Sequence, residues 1–101
     1  MSREKKNEYE IDKIITIAIN HISQDTDIAM SSNKIEDVTY YKKDGWGWFI
    51  YVPCLEEIDT LAIPADLAAC MRFARVNGCR WLGLDSDGLE CKLPIYIWNG
   101  D

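Results

Sequence analysis

Few residues in this chain have the chemistry to catalyse a reaction or hold a metal: one histidine, His21; four cysteines, Cys54, Cys70, Cys79 and Cys91; and a carboxylate-rich stretch, Asp85-Ser86-Asp87-Gly88. A structural zinc site takes two thiolates from one tight turn, through spacings such as C-x2-C. These cysteines lie 16, 9 and 12 residues apart, so they read as buried free thiols. His21 stands close to Ile19 and Ile22, with no serine or cysteine nucleophile motif around it, and a structural role is expected for it. Asp85, Asp87 and Glu90 do not have the spacing of a twelve-residue calcium loop and read as a solvated β-turn. The expectation is a protein with no catalytic residues, no metal and no cofactor.

What remains is the chemistry of surfaces. Seventeen acidic side chains against eleven basic ones give a net charge of -6. Between Lys43 and Arg72 there is no basic residue, while Asp44, Glu56, Glu57, Asp59 and Asp66 fall in that interval. If the loops at one end of a sheet bring these together with Asp85 and Asp87, the result is a negative patch suited to a basic protein surface, for example one that normally holds nucleic acid. Beside the acids stand aromatic anchors. The candidate partner-binding residues are therefore Trp46, Trp48, Ile50, Glu56, Glu57, Asp59, Asp85 and Asp87. The same charge disfavours direct binding of nucleic acid, because phosphate would meet a field of its own sign. Whether a second copy completes the sheet edge as a homodimer is left open.

These residues need elements to position them. A chain of 101 residues, 48% hydrophobic with eleven aromatics, is too apolar to stay disordered and has the size of one domain. Residues 1–9 are polar and read as a flexible tail, leaving 10–101 as a single domain. Within Lys13 to His21, Ile15, Ile17 and Ile19 alternate with polar or small residues, which favours a strand, although Ile11, Ile15, Ala18, Ile19 and Ile22 also fit helical spacing. Ser23, followed by Asp25 and Asp27, caps a short helix expected over Gln24 to Ser32. Val38 to Lys43 and Trp46 to Val52 form a hairpin around Asp44-Gly45, the dipeptide of a type I′ turn. Strand alternation puts Trp46, Trp48 and Ile50 on one face and Phe49 and Tyr51 on the other. We expect Phe49 and Tyr51 to pack on the helices and the tryptophans to face a partner; the alternative buries Trp48.

Pro53 ends the hairpin, and Cys54 to Ile63 reads as a loop. Pro64 and Asp66 open a second helix, with Leu67, Cys70, Met71 and Ala74 as its buried stripe and Gly78 as its terminator. Cys79 to Leu84 reads as a strand, and Leu93 to Trp98 as a last strand or extended tail. The order β-α-β-β-α-β gives an α+β fold: a two-layer sandwich with an antiparallel or mixed sheet of four to five strands and two helices on one face, ferredoxin-like or a variant. No apolar stretch approaches the ~20 residues that a bilayer span requires, and no apolar leader follows Arg3-Glu4-Lys5-Lys6, so a cytoplasmic protein is expected.

Three stretches resemble known families. Asp44-Gly45-Trp46-Gly47-Trp48-Phe49-Ile50-Tyr51 is similar to the octapeptide of RNA-recognition-motif domains, which would make Trp46 and Trp48 the base-stacking residues, with Asp44 in the slot that the family fills with a basic residue. Single-stranded RNA binding is accordingly the alternative function. Asp85-Ser86-Asp87-Gly88 resembles the nucleophile loop of haloacid-dehalogenase-type phosphatases, but too little chain follows it to supply that family's remaining carboxylates and lysine. Gly47 to Val52, Ile63 to Leu67, Phe73 to Arg75, Gly78 to Asp85 and Leu93 to Trp98 together are similar to a family of short uncharacterised bacterial proteins carried on plasmids and integrated mobile elements near antirestriction genes. That resemblance implies a mobile-element accessory protein that binds and blocks a host nucleic-acid-targeting defence complex, of anti-CRISPR or antirestriction type.

Overall fold

The computed structural model describes residues 9–99, so the expected tail, apart from Tyr9, lies outside the described residues. The first strand, β1, runs over Ile14–Ala18, and a single turn of 3-10 helix takes up Ile19–His21. The β-branched run thus forms a strand, as expected, but a shorter one than its alternation suggests. Helix α1 spans Gln24–Ser31, and its cap is the expected one: the Ser23 hydroxyl accepts the Thr26 amide at 3.2 Å. Strands β2 (Tyr40–Lys42) and β3 (Gly47–Tyr51) form the hairpin, with Lys42 opposite Trp48 and Tyr40 opposite Ile50.

The hairpin turn is longer than expected. The Lys43 amide donates to the Gly47 carbonyl at 3.0 Å, so three residues, Asp44-Gly45-Trp46, make the connection. Gly45 takes the one positive φ in it, 83°, whereas a type I′ turn needs positive φ at both central residues. Trp46 therefore belongs to the turn and not to the strand.

The stretch expected as a loop after Pro53 contains one helical turn, α2 (Leu55–Ile58), pinned by the buried Ile58. Helix α3 follows Pro64 and covers Ala65–Val76, with Leu67, Ala68, Cys70, Met71 and Ala74 buried; it ends before Gly78, which has φ 77°. Strand β4 is Trp81–Asp85.

The four strands form one mixed sheet in the order β1-β4-β3-β2. β1 and β4 are parallel, Ile14 opposite Trp81 and Ala18 opposite Asp85, and the other two pairings are antiparallel. This is the α+β sandwich in a variant form, because the two parallel strands are direct neighbours with no strand inserted between them. On one face Ile17, Leu82, Leu84, Ile50 and Trp48 join Met30 of α1 and Leu67, Met71 and Ala74 of α3 in the core. No helix among the described residues is long and apolar enough to cross a membrane.

Residues Leu89–Asn99 form no regular strand or helix but are tied down along their length. The Ala18 amide donates to the Leu89 carbonyl (3.0 Å), the Tyr96 amide to the Asn20 carbonyl (2.8 Å) and the Trp98 indole to the Ile22 carbonyl (3.0 Å). Gln24 exchanges two hydrogen bonds with the Asn99 backbone, at 2.9 and 3.1 Å. The segment is a strap across the β1–α1 junction, not a fifth strand.

Candidate functional site: an acidic sheet end and an uncovered aromatic face

The structure divides the eight candidate residues into three groups. Trp48 and Ile50 are in the core, 4% and 0% exposed, which corrects the expected orientation of the hairpin. The reason lies outside the hairpin. The Trp48 indole N–H donates to the Asp27 carboxylate of α1 at 2.8 Å, and its ring meets Tyr40 edge-on at 5.4 Å. A buried indole needs an acceptor, and α1 supplies it. Neither residue is available to a partner, and the base-stacking role that the octapeptide resemblance gives Trp48 is closed to it.

Glu56, Glu57 and Asp59 are exposed on and just after α2, which follows the carboxyl end of β3. Asp59 accepts from the Arg72 guanidinium at 3.1 Å. Asp85 is the last residue of β4 and Asp87 follows it; because β4 is antiparallel to β3, both sit at the opposite end of the sheet. The single acidic patch expected from the sequence is two separate ones.

At the second of these, two turns meet. The Ser86 amide donates to the Trp46 carbonyl at 3.0 Å, which sets the hairpin turn against the Asp85–Gly88 turn. Trp46 is 72% exposed there, with Asp44 two residues before it in the chain. Within the second turn, Asp85 accepts the Asp87 amide at 2.9 Å and pairs with Lys43. These two contacts, the amide first, hold the Asp85 carboxyl below the usual aspartate range, so it stays ionised. The arrangement sets the backbone of the exposed Trp46 against the turn that carries Asp85 and Asp87, with Asp44 in the facing hairpin turn.

A surface that sequence reasoning misassigned runs along the sheet from Phe49 and Tyr41 to the opposite end, where Tyr51 pairs with Trp81. Tyr41, Phe49, Tyr51 and Trp81 project from the sheet face opposite the helices, and none of the described helices covers them. Trp81 meets Tyr51 edge-on at 5.5 Å and Tyr41 in a tilted stack at 6.3 Å. Lys43 sits 5.2 Å from the centre of the Phe49 ring. The Arg80 guanidinium, held above its usual value first by a hydrogen bond with Tyr51, also lies 3.5 Å from the Glu10 carboxylate. The period-two pattern contained this face; only the choice of which face met the helices was at fault.

The remaining chemistry is structural. His21 is buried, its Nε2 accepting the Cys91 amide at 3.0 Å and its Nδ1 bonded to the Pro94 carbonyl at 2.9 Å. Burial pushes the Cys70 thiol up to about 12, helped by Asp66 and Cys91. Among the described residues, no group of three or more His, Cys, Asp or Glu side chains is placed to hold a metal ion.

Over residues 14–98 the sequence matches a family of unknown function, the DUF5983 C-terminal domain. No curated protein and no solved structure matches the chain.

Proposed function

Because the chain belongs to the DUF5983 family, its surface must supply the functional reading, and we propose that it is a non-enzymatic protein-binding module whose partner presents a basic surface. The observation that carries this is the juxtaposition of the 72% exposed Trp46 with Asp44, Asp85 and Asp87 across the Ser86–Trp46 hydrogen bond. An exposed indole of this size is the residue type that anchors interfaces, and flanking carboxylates steer a cationic surface onto it. In the finer form of the proposal, the partner is a nucleic-acid-binding host complex whose basic groove the module occupies in the cytoplasm, as an anti-defence accessory of a mobile element.

Titrating the protein with an arginine-rich peptide and with unstructured single-stranded RNA tests the reading. The peptide should bind, more weakly as salt rises, and Trp46→Ala combined with Asp87→Lys should abolish binding while the fold persists. A second reading has its own supporting observation: Tyr41, Phe49, Tyr51 and Trp81 with Lys43 and Arg80 nearby form the kind of platform on which bases stack. RNA binding that is lost in Tyr51→Ala and unaffected by Trp46→Ala would replace the first proposal with this one.

A further inference from the structure

The end of the sheet where β1 and β4 begin holds a cleft of about 390 Å³, lined by Ile11, Asp12, Lys13, Arg75, Gly78 and Arg80. Three cations and one carboxylate line it, in a chain whose net charge is -6. The cations come from three separate places: the segment leading into β1, the last turn of α3 and the residue before β4. The fold, and no run of basic sequence, brings them together.

Hydrogen bonds fix that meeting. The Arg80 and Trp81 amides both donate to the Lys13 carbonyl, at 3.0 and 3.1 Å, which ties the start of β1 to the start of β4. The Cys79 amide donates to the Ala74 carbonyl at 2.9 Å and folds the end of α3 back toward the same place. Arg75 gives one N–H to the Val52 carbonyl at 3.4 Å, and Arg80 is hydrogen-bonded to the Tyr51 side chain. A guanidinium has five N–H groups, so each arginine is held in place with donors to spare. Among the described residues, neither Lys13 nor Arg75 forms an ion pair. Arg80 lies 3.5 Å from Glu10, whose side chain is 74% exposed, and a surface pair of this kind is weak enough for a ligand to replace. Glu56 and Glu57 of α2 stand at the same end of the sheet but do not line the cleft.

We propose that this cleft is an anion site that takes the terminal phosphate of a phosphomonoester, held by Lys13, Arg75 and Arg80. The charges match: the lining carries two more positive charges than negative ones, and a phosphomonoester carries about -1.5 to -2 at pH 7. A carboxylate, with a single charge, is satisfied by one guanidinium, whereas a tetrahedral dianion presents oxygens enough for two arginines and an ammonium group. The phosphodiester of a nucleic-acid backbone offers similar oxygens with only one charge, so the two sources of phosphate are separable by experiment. The site is independent of the protein-binding reading, because Trp46, Asp85 and Asp87 lie at the other end of β3 and β4.

A magnetic-resonance titration of the whole chain at constant ionic strength tests this, with the Arg75 and Arg80 side-chain Nε–H signals and the Gly78 amide as reporters. Inorganic phosphate and ribose 5-phosphate should both shift these signals to saturation, and acetate and dimethyl phosphate should bind about tenfold more weakly or not at all. Arg75→Gln and Arg80→Gln should each weaken phosphate binding by about tenfold or more, and Lys13→Gln should weaken it measurably. Arg72→Gln removes the same charge from the exposed side of α3, where Arg72 pairs with Asp59, and should leave binding unchanged. If an arginine variant does not fold, Lys13→Gln decides, since the Lys13 side chain is exposed and its structural contacts run through its backbone carbonyl. Shifts that do not saturate, or equal weakening by Arg72→Gln and Lys13→Gln, would overturn the proposal. Dimethyl phosphate binding as tightly as ribose 5-phosphate would overturn it too, and would make the cleft a contact for a nucleic-acid backbone.

Discussion

Trp46 and Trp48 are two residues apart and have opposite fates, which makes them the sharpest test at the scale of single side chains. Trp48→Ala removes a packed indole and orphans the Asp27 carboxylate, and should cost about 3–5 kcal/mol in urea unfolding. Trp46→Ala should change stability by no more than about 0.5 kcal/mol, since its side chain is mostly in water. The thiols should divide in the same way. Cys70, buried and pushed up to about 12, should resist alkylation in the native protein, while the exposed Cys54 reacts, and mass spectrometry after a short iodoacetamide pulse reads both. Asp85 carries a pH dependence of known sign. Its carboxyl is held below the usual range, so its contribution to the turn is complete above the ordinary aspartate value of about 3.9 and is lost as pH falls through the lower folded value. Exchange at the Asp87 amide should rise over that acidic interval in the unmodified protein and show no such step in Asp85→Asn.

Among the elements, α1 and α3 are joined at their amino-terminal ends by one carboxylate. Asp66 in the first turn of α3 accepts the Ser23 amide at 2.6 Å and the Thr26 hydroxyl at 2.8 Å, so it serves the start of both helices at once. Asp66→Ala should cost about 1–3 kcal/mol in chemical unfolding, because it leaves partly buried donors without an acceptor. Asp66 was legible as a first-turn acid of its own helix, but its cross-link to α1 was not, because nothing local marks a partner 40 or more residues away. The same distinction runs through the fold. Ser23 as a cap, Gly78 as a helix end and the hairpin around Gly45 are decided by neighbours in the chain, and each is where its residues indicate. The burial of Trp48 is decided by Asp27, and the separation of Glu56 from Asp85 by the antiparallel pairing of β3 with β4; both are contacts between elements that periodicity does not encode. The eight candidate residues shared that fate: Trp46, Asp85 and Asp87 come together, and the other five do not join them.

Across the whole molecule, the two acidic ends are separated by the length of a five-residue strand, roughly 17 Å at the usual rise. Screening at physiological salt shortens the reach of exposed charge to about 8 Å, so the two ends act independently on a partner. Charge reversal at Asp44 and Asp87 should therefore slow association with a basic partner, while reversal at Glu56, Glu57 and Asp59 should leave the on-rate nearly unchanged, as stopped-flow measurements at two ionic strengths would show. The parallel pairing of β1 with β4 has a further consequence, in time and not in space. β1 is complete at Ala18, but its ladder partner begins at Trp81, so the first strand made is the last to find its place. During synthesis, Ile14-Ile15-Thr16-Ile17-Ala18 must wait for nearly the whole domain to emerge, an uncharged β-branched segment with neither edge paired. That interval makes the nascent chain, more than the finished protein, the form most exposed to aggregation and the one on which a chaperone would act.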